Sequence, residues 1–188
     1  MRIAIVGGSF DPIHNGHIQM ANQSLQALQV DEVWFMPTSS TPLKDHELTL
    51  DQERLAMIDL VVQKNPKFKV CTLELERAGK SYTYDTLKEL IETYPEHEFY
   101  WIIGNDQLEQ FDKWYRADEL VKMAHFVCFD RDGMLADSQY DIVCMKMPSV
   151  PVSSSEIRMG NKLNYLPKEV LCYIYRNRLY VKDFVAAR

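Results

Sequence analysis

The sequence is poor in the features that would assign it quickly. Four cysteines, Cys71, Cys128, Cys144 and Cys172, are spread over 188 residues and none forms a CxxC pair. That excludes a disulfide-stapled scaffold and reads as reduced, buried thiols in a cytoplasmic protein. No run of about 18 uncharged apolar residues occurs, so no membrane partner is expected. The opening MRIAIVGGSF reaches its glycines after a short apolar stretch and lacks the apolar core and cleavage site of a signal peptide. Glycine is scarce, seven in all, and neither GxGxxG nor a Gly-Lys-Ser/Thr phosphate loop is present. Basic residues are outnumbered, 21 against 27 acidic, for a net charge of −6. A nucleic-acid polymer is therefore not an expected partner. A small phosphorylated ligand is compatible, because a site can be locally positive on an acidic body.

What is present describes an ordinary folded chain. It is 46% apolar and 11% aromatic, with no repeat and no low-complexity tract. A chain of this length buries roughly 70% of its unfolded surface. Strand signals fall at Arg2–Val6, Glu32–Met36, Phe68–Leu75, Phe99–Ile103, Phe126–Phe129 and Ile142–Met145. Helical periodicity falls at His17–Leu28, Thr49–Gln63, Thr86–Tyr94 and Asp118–Met123, with two short helices near Ser154–Asn161 and Pro167–Arg176. Thr49-x-x-Gln52 has the form of a capping box, and Leu55, Ile58 and Val62 form its apolar stripe. Alternating strands and helices predict an α/β fold, with a doubly wound, mainly parallel sheet and a small C-terminal helical region from about residue 152. No domain boundary is visible, and residues 1–188 read as one domain. Ligands in such folds sit at strand carboxyl ends where the winding reverses, which directs attention to the residues after Val6 and after Ile103.

The first of these segments is Gly7-Gly8-Ser9-Phe10-Asp11-Pro12-Ile13-His14-Asn15-Gly16-His17, which holds three of the seven glycines and two of the five histidines. The glycines allow a sharp turn and close approach of a ligand. His14 and His17 are three apart beside a helix start, whose N–H groups and dipole favour phosphate. Two imidazole donors there can grip a phosphate chain and stabilise charge as a phosphorus–oxygen bond breaks. A zinc site built on Asp11, His14 and His17 is the alternative, although it lacks a convincing fourth ligand. The segment resembles the GGxFDPxHxGH motif of the HxGH nucleotidyltransferase superfamily, which joins a nucleotide to a phosphorylated small molecule and releases pyrophosphate.

Three further segments follow in order. Ser81-Tyr82-Thr83-Tyr84-Asp85-Thr86 opens a helix and is similar to the SYTxDT of nicotinate-nucleotide adenylyltransferases. The resemblance assigns Thr83 and Tyr84 to a pyridine-nucleotide pocket, largely through backbone groups. Ile103-Gly104-Asn105-Asp106-Gln107-Leu108, with Phe111 and Trp114, resembles IGxDxLxxFxxW. Gly104 admits a flat group to the strand end and Asp106 can accept from ribose hydroxyls. Trp114 is assigned by the resemblance to stack on the nicotinate ring; core packing of Phe111 and Trp114 is the plainer alternative. Val152-Ser153-Ser154-Ser155-Glu156-Ile157-Arg158 resembles ISSTxIR. Ser154 and Ser155 supply hydroxyls at a helix start, and Arg158 can fork two phosphate oxygens.

Lys44 matches the lysine of a PPHK segment, with Leu43 in place of its histidine, and can neutralise phosphate. Arg131 matches an RPG segment, with Asp132 in place of proline, and falls on the mononucleotide side. Tyr165-Leu166-Pro167 with Val170 resembles the YLPxxV helix, a structural element.

The resemblance spans Gly7 to about Ile174 and implies adenylyl transfer from ATP to nicotinate mononucleotide, in NAD biosynthesis. His14, His17 and Arg158 are then the catalytic donors. Gly8, Ser9, Phe10, Lys44, Gly104, Ser154 and Ser155 face ATP and its phosphates; Thr83, Tyr84, Asp106, Trp114 and Arg131 face the mononucleotide. Mg²⁺ is implied through the ATP phosphates, with no protein cage. Transfer to nicotinamide mononucleotide or another phosphorylated acceptor stays open, as do a non-catalytic nucleotide sensor, a zinc hydrolase and a homo-oligomer.

Overall fold

Ile3 and Ile5 belong to one buried cluster, and Ala4 and Val6 to another. Successive side chains of a strand point to opposite faces, so the first strand is buried on both. The structure, a computed structural model, describes residues 1–39, 48–77, 81–130 and 138–180. Lys44 and Arg131 lie outside the described residues. In chain order the elements are β1 (Arg2–Gly8), α1 (Asn15–Ala27), β2 (Glu32–Pro37), α2 (Asp51–Val62), β3 (Phe68–Val70), α3 (Leu73–Glu76), α4 (Thr83–Thr93) and β4 (Glu98–Ile103). They continue with α5 (Asn105–Leu108), α6 (Ala117–Met123), β5 (His125–Asp130), β6 (Ile142–Lys146), α7 (Ser154–Arg158) and α8 (Lys168–Arg176).

Among the described residues the six strands form one sheet in the order β3-β2-β1-β4-β5-β6. Every neighbouring pair is parallel. The chain winds outward from β1 to β3, then returns to place β4 on the other side of β1. Val6 is paired with Ile102, so the glycines after β1 and Gly104 after β4 emerge together at the reversal. One face is covered by α1, α2, α7 and α8 around Val6, Phe10, Met57 and Ile157; Val170 and Ile174 of α8 share that cluster. The other carries Ile5, Trp101, Leu87 and Leu120 under α4 and α6. The expected doubly wound parallel sheet with C-terminal helices is the architecture found.

Some local expectations change. The strand predicted over Phe68–Leu75 stops at Val70, and Leu73–Glu76 is a helical turn. The capping box at Thr49 does not form; α2 starts at Asp51 without a side-chain cap. Its buried face is Arg54, Met57, Ile58 and Val61 rather than the Leu55–Ile58–Val62 stripe. All four cysteines are free, but Cys172 is exposed and only Cys128 is fully buried. Burial pushes the Cys128 thiol up to about 12, which keeps it neutral. Among the described residues no helix is long and apolar enough to cross a membrane.

Candidate active site

The segment after β1 turns at Phe10, whose φ of 47° lies in the left-handed region although its ring is fully buried. That ring packs edge-on against His17, with centroids 4.9 Å apart, and against Phe35 at 5.8 Å. A strained backbone persists where surrounding packing over-determines it.

The two histidines form the first turn of α1. His14 is the N-cap, and its Nδ1 accepts the Gly16 N–H at 3.1 Å. His17 returns the arrangement, its Nδ1 accepting the His14 N–H at 3.2 Å. An Nδ1 that accepts a backbone N–H carries no proton, so each neutral ring presents its proton at Nε2. The rings stack with centroids 3.8 Å apart. The pattern His-x-Gly-His thus makes two imidazole donors of defined tautomer.

Gly16 is required by this geometry. A Cβ there would lie 2.9 Å from His14 Cε1 and 3.0 Å from its Nδ1. The ring cannot yield without losing both its cap and its stack. Gly16→Ala is expected to lower turnover by roughly 10- to 100-fold through displacement of His14, while the melting temperature changes little, because the helix preference of alanine offsets the lost His14 cap, each about 1 kcal/mol. Steady-state kinetics beside thermal unfolding check it; undiminished turnover counts against His14.

Arginines and a serine anchor the carbonyls of the same segment. Arg158 donates from Nη1 to the Asp11 carbonyl at 2.7 Å and from Nη2 to Ser155 Oγ at 3.2 Å. Ser154 Oγ donates to the Pro12 carbonyl at 2.9 Å, so this hydroxyl fastens α7 to the segment. Ser153 caps α7 in a reciprocal box with Glu156. Arg158 and the His14–His17 turn therefore meet around one stretch of backbone, although His17 and Arg158 are 141 positions apart in the sequence. Arg54 is wholly buried on α2. It donates to the Ser9 carbonyl at 2.5 Å and the Thr49 carbonyl at 3.1 Å, and pairs with Asp51. Sequence periodicity missed it, because a charged residue at a core-facing position has no apolar signal.

Both carboxylate oxygens of Asp11 are engaged by other donors. Oδ1 accepts the Tyr180 hydroxyl at 2.6 Å and Oδ2 the Thr49 N–H at 3.2 Å. The zinc alternative thereby loses its carboxylate. Among the described residues no group of three or more His, Cys, Asp and Glu is placed to hold a metal.

On the other face of the sheet, at the same end, lies a cavity of about 210 Å³. Gly7, Gly8, Met36, Trp101 and Trp114 provide flat or apolar walls; Thr38, Glu74, Ser81, Thr83 and Gln107 provide polar groups. Phe111 and Trp114 part company here: Phe111 is core, 1% exposed, whereas Trp114 is half-buried and lines the cavity. Thr83 lines it too. The Tyr84 side chain lies elsewhere, donating to Glu119 at 3.2 Å with Arg116 over its ring at 4.5 Å. Asp106 is exposed in α5, with its Oδ1 3.0 Å from where a Cβ on Gly104 would sit. Asn105 ties α5 to β5 by donating to Asp130 at 2.6 Å.

Thr38 and Glu74 are cavity residues that no motif signalled. Thr38 Oγ1 is buried without a hydrogen-bond partner among the described residues. Glu74 accepts from Thr86 at 2.9 Å. Burial raises its carboxyl pKa, while the Thr86 bond and the charge of Arg77 pull it the other way. An acid raised on folding contributes stability that is present below its unfolded value of about 4.3 and lost as pH rises through the folded value. Glu74→Gln, which keeps an acceptor for Thr86, is therefore expected to melt higher than the parent at pH 8. The gap should close below about pH 4. Paired thermal melts across that range check it, and a gap independent of pH would contradict it.

Comparison with known proteins supplies the family. A family model described as Cytidylyltransferase-like matches residues 5–160. A Geobacillus kaustophilus protein named "Probable nicotinate-nucleotide adenylyltransferase" is 43% identical over 185 residues, covering 95% of this chain and 86% of its own length. One of the same name from Bacillus licheniformis is 44% identical over 185 residues, covering 95% and 98%. The solved Plasmodium falciparum nicotinic acid mononucleotide adenylyltransferase complexed with NaAD superposes with a TM-score of 0.81 at 25% identity, covering 96% of this chain and 97% of that one. Identity at this level, spread from end to end and joined to a shared fold, places the chain in the nicotinate-nucleotide adenylyltransferase family.

Proposed function

We propose that the chain transfers the adenylyl group of ATP to nicotinate mononucleotide, forming nicotinate adenine dinucleotide and releasing pyrophosphate. The observation that carries the reading is the division of labour at the end of β1. Over one face of the sheet lie the paired imidazoles and Arg158. Over the other lies the cavity walled by Trp114, with Gly7 and Gly8 among its lining. A mononucleotide can set its ring in the cavity and its phosphate across the glycines, facing a triphosphate held by the cationic side. The relative solved with NaAD holds the product such a reaction would form.

The chemistry asks little covalent work of the protein. A phosphomonoester with a second pKa near 6 is already a dianionic nucleophile at neutral pH. Its oxygen forms the new bond to the α-phosphorus of ATP while the bond to the bridging oxygen breaks, and that oxygen leaves with pyrophosphate. His14 and His17, with protons held at Nε2, and the Arg158 guanidinium stabilise the leaving charge. The backbone around Gly8, Ser9 and Phe10, the Gly104 strand end and the start of α7 at Ser154 and Ser155 border the phosphates. Lys44 adds a cation to that side. Thr83 and Trp114 hold the pyridine ring, with Tyr84 contributing through its backbone; Asp106 takes ribose hydroxyls and Arg131 the mononucleotide side. Mg²⁺ would be held by the ATP phosphates rather than by protein carboxylates, and would neutralise part of their charge there. Residues 1–188 act as one nucleotidyltransferase domain, supported by the core that α8 shares with β1. The four free cysteines support a cytoplasmic setting.

Pyrophosphate release from ATP, measured against nicotinate mononucleotide, nicotinamide mononucleotide, phosphopantetheine and a sugar phosphate, tests the reading. Fast release with the first alone is expected. Preference for the amide would reassign the acceptor, and ATP binding without release would favour a sensor.

A further inference from the structure

The mechanism above leaves a buried acid–phenol pair unused. Asp11 is 1% exposed and accepts the Tyr180 hydroxyl at 2.6 Å and the Thr49 N–H at 3.2 Å, while its carbonyl accepts Arg158 Nη1 at 2.7 Å. One residue thereby joins the segment after β1, the approach to α2, the C-terminal part of the chain and the arginine of α7. We propose that Tyr180 is a positioning residue for adenylyl transfer: by holding the Asp11 carboxylate it orients the Asp11 carbonyl, which aims the Arg158 guanidinium at the phosphates. This rests on the reading of Arg158 as a phosphate donor.

The chain adopts costly backbone to bring Tyr180 there. After α8, Arg178 and Tyr180 both take left-handed conformations, φ 54° and 60°, although neither is glycine. The Leu179 N–H returns to the Ile174 carbonyl at 3.0 Å, which closes the helix and turns the chain inward. Leu179 and Tyr180 then pack on the same core cluster as Phe10 and Ile157. Strain of this kind persists where packing over-determines it, here within one hydrogen bond of the segment that carries the histidines. Burial, with Asp11 alongside, holds the phenol well above its usual range, so it remains an O–H donor. Arg158 depends on its backbone acceptor because its other partner, Ser155 Oγ at 3.2 Å, lies on its own helix and does not tie the long stem to the segment after β1. A carbonyl fixed from behind removes that freedom before ATP arrives.

The experiment is a double-mutant cycle of Tyr180→Phe and Arg158→Ala, with kcat, the KM for the mononucleotide and thermal unfolding measured for each protein. Tyr180→Phe is expected to lower kcat roughly tenfold and leave the mononucleotide KM within about twofold, since the ring cavity lies over the other face. In the Arg158→Ala background the same change should alter kcat by less than about twofold. An unchanged kcat in Tyr180→Phe, or a tenfold loss that persists without Arg158, overturns the inference while leaving Arg158 its role. Full turnover in Arg158→Ala overturns the underlying reading instead. Should Tyr180→Phe fail to fold, Asp11→Asn replaces it in the cycle, because it sets an amide against the Tyr180 and Thr49 donors, and the same outcomes decide.

Discussion

His17→Ala is expected to lower turnover by roughly 10²- to 10³-fold, the magnitude found when one preorganised donor to developing charge is removed. The mononucleotide KM should change little, because the ring cavity lies over the opposite face of the sheet and does not include His17 among its lining residues. The substitution also removes an Nδ1 acceptor from the His14 N–H. Loss of a capping contact costs about 1 kcal/mol of stability, so the variant should remain folded at assay temperature. His17→Asn separates the two roles. Asparagine can accept a backbone N–H but cannot both keep that acceptor in place and extend an imidazole Nε2–H toward a leaving phosphate. Both variants should therefore be slow, and only the alanine should show the stability loss. Steady-state kinetics and thermal melts of the pair check this, and normal turnover in either variant would remove His17 from the chemistry.

Trp114→Ala is expected to act on the other half of the site. Stacking of a planar base on an aromatic side chain contributes about 1–3 kcal/mol, so the mononucleotide KM should rise by roughly 5- to 150-fold. The catalytic rate at saturation should fall far less, because no reacting atom touches the ring. Trp114 also packs on Phe111 and Phe126, with centroids 5.1 and 6.4 Å away, so alanine opens space in the core as well as in the cavity. Trp114→Phe controls for this, retaining an aromatic wall and much of the packing. A graded KM across Trp, Phe and Ala is the expected series, measured by varying the mononucleotide at saturating ATP. A KM that ignores all three would refute stacking.

These two substitutions bracket what was legible in the linear sequence. The near-continuous apolar runs of β1 and β4 and their alternation with helices were enough to indicate a parallel sheet buried on both faces. The order of glycines and histidines in Gly7–His17 indicated a phosphate-facing turn, because close backbone approach and paired imidazoles have few other uses at that spacing. Thr83 and Trp114 carried a motif and do line one cavity; Tyr84 carried the same motif, yet its side chain turns to Glu119 and Arg116. Side-chain direction at a helix start depends on the neighbouring helix, here α6, which no local pattern encodes.

Arg54, Thr38, Glu74 and Tyr180 show the remainder. Each is a polar residue whose meaning lies in a partner distant in sequence or in a shared cavity: Ser9 for Arg54, Asp11 for Tyr180, the cavity for Thr38 and Glu74. The sequence by itself determined the layer architecture and the chemistry of the first turn, because burial on two faces and helix capping are short-range properties. Only the tertiary structure decided which buried polar groups hold the backbone after β1 in place. A polar group can be buried wherever a distant donor or acceptor meets it, and that meeting is a property of the folded chain.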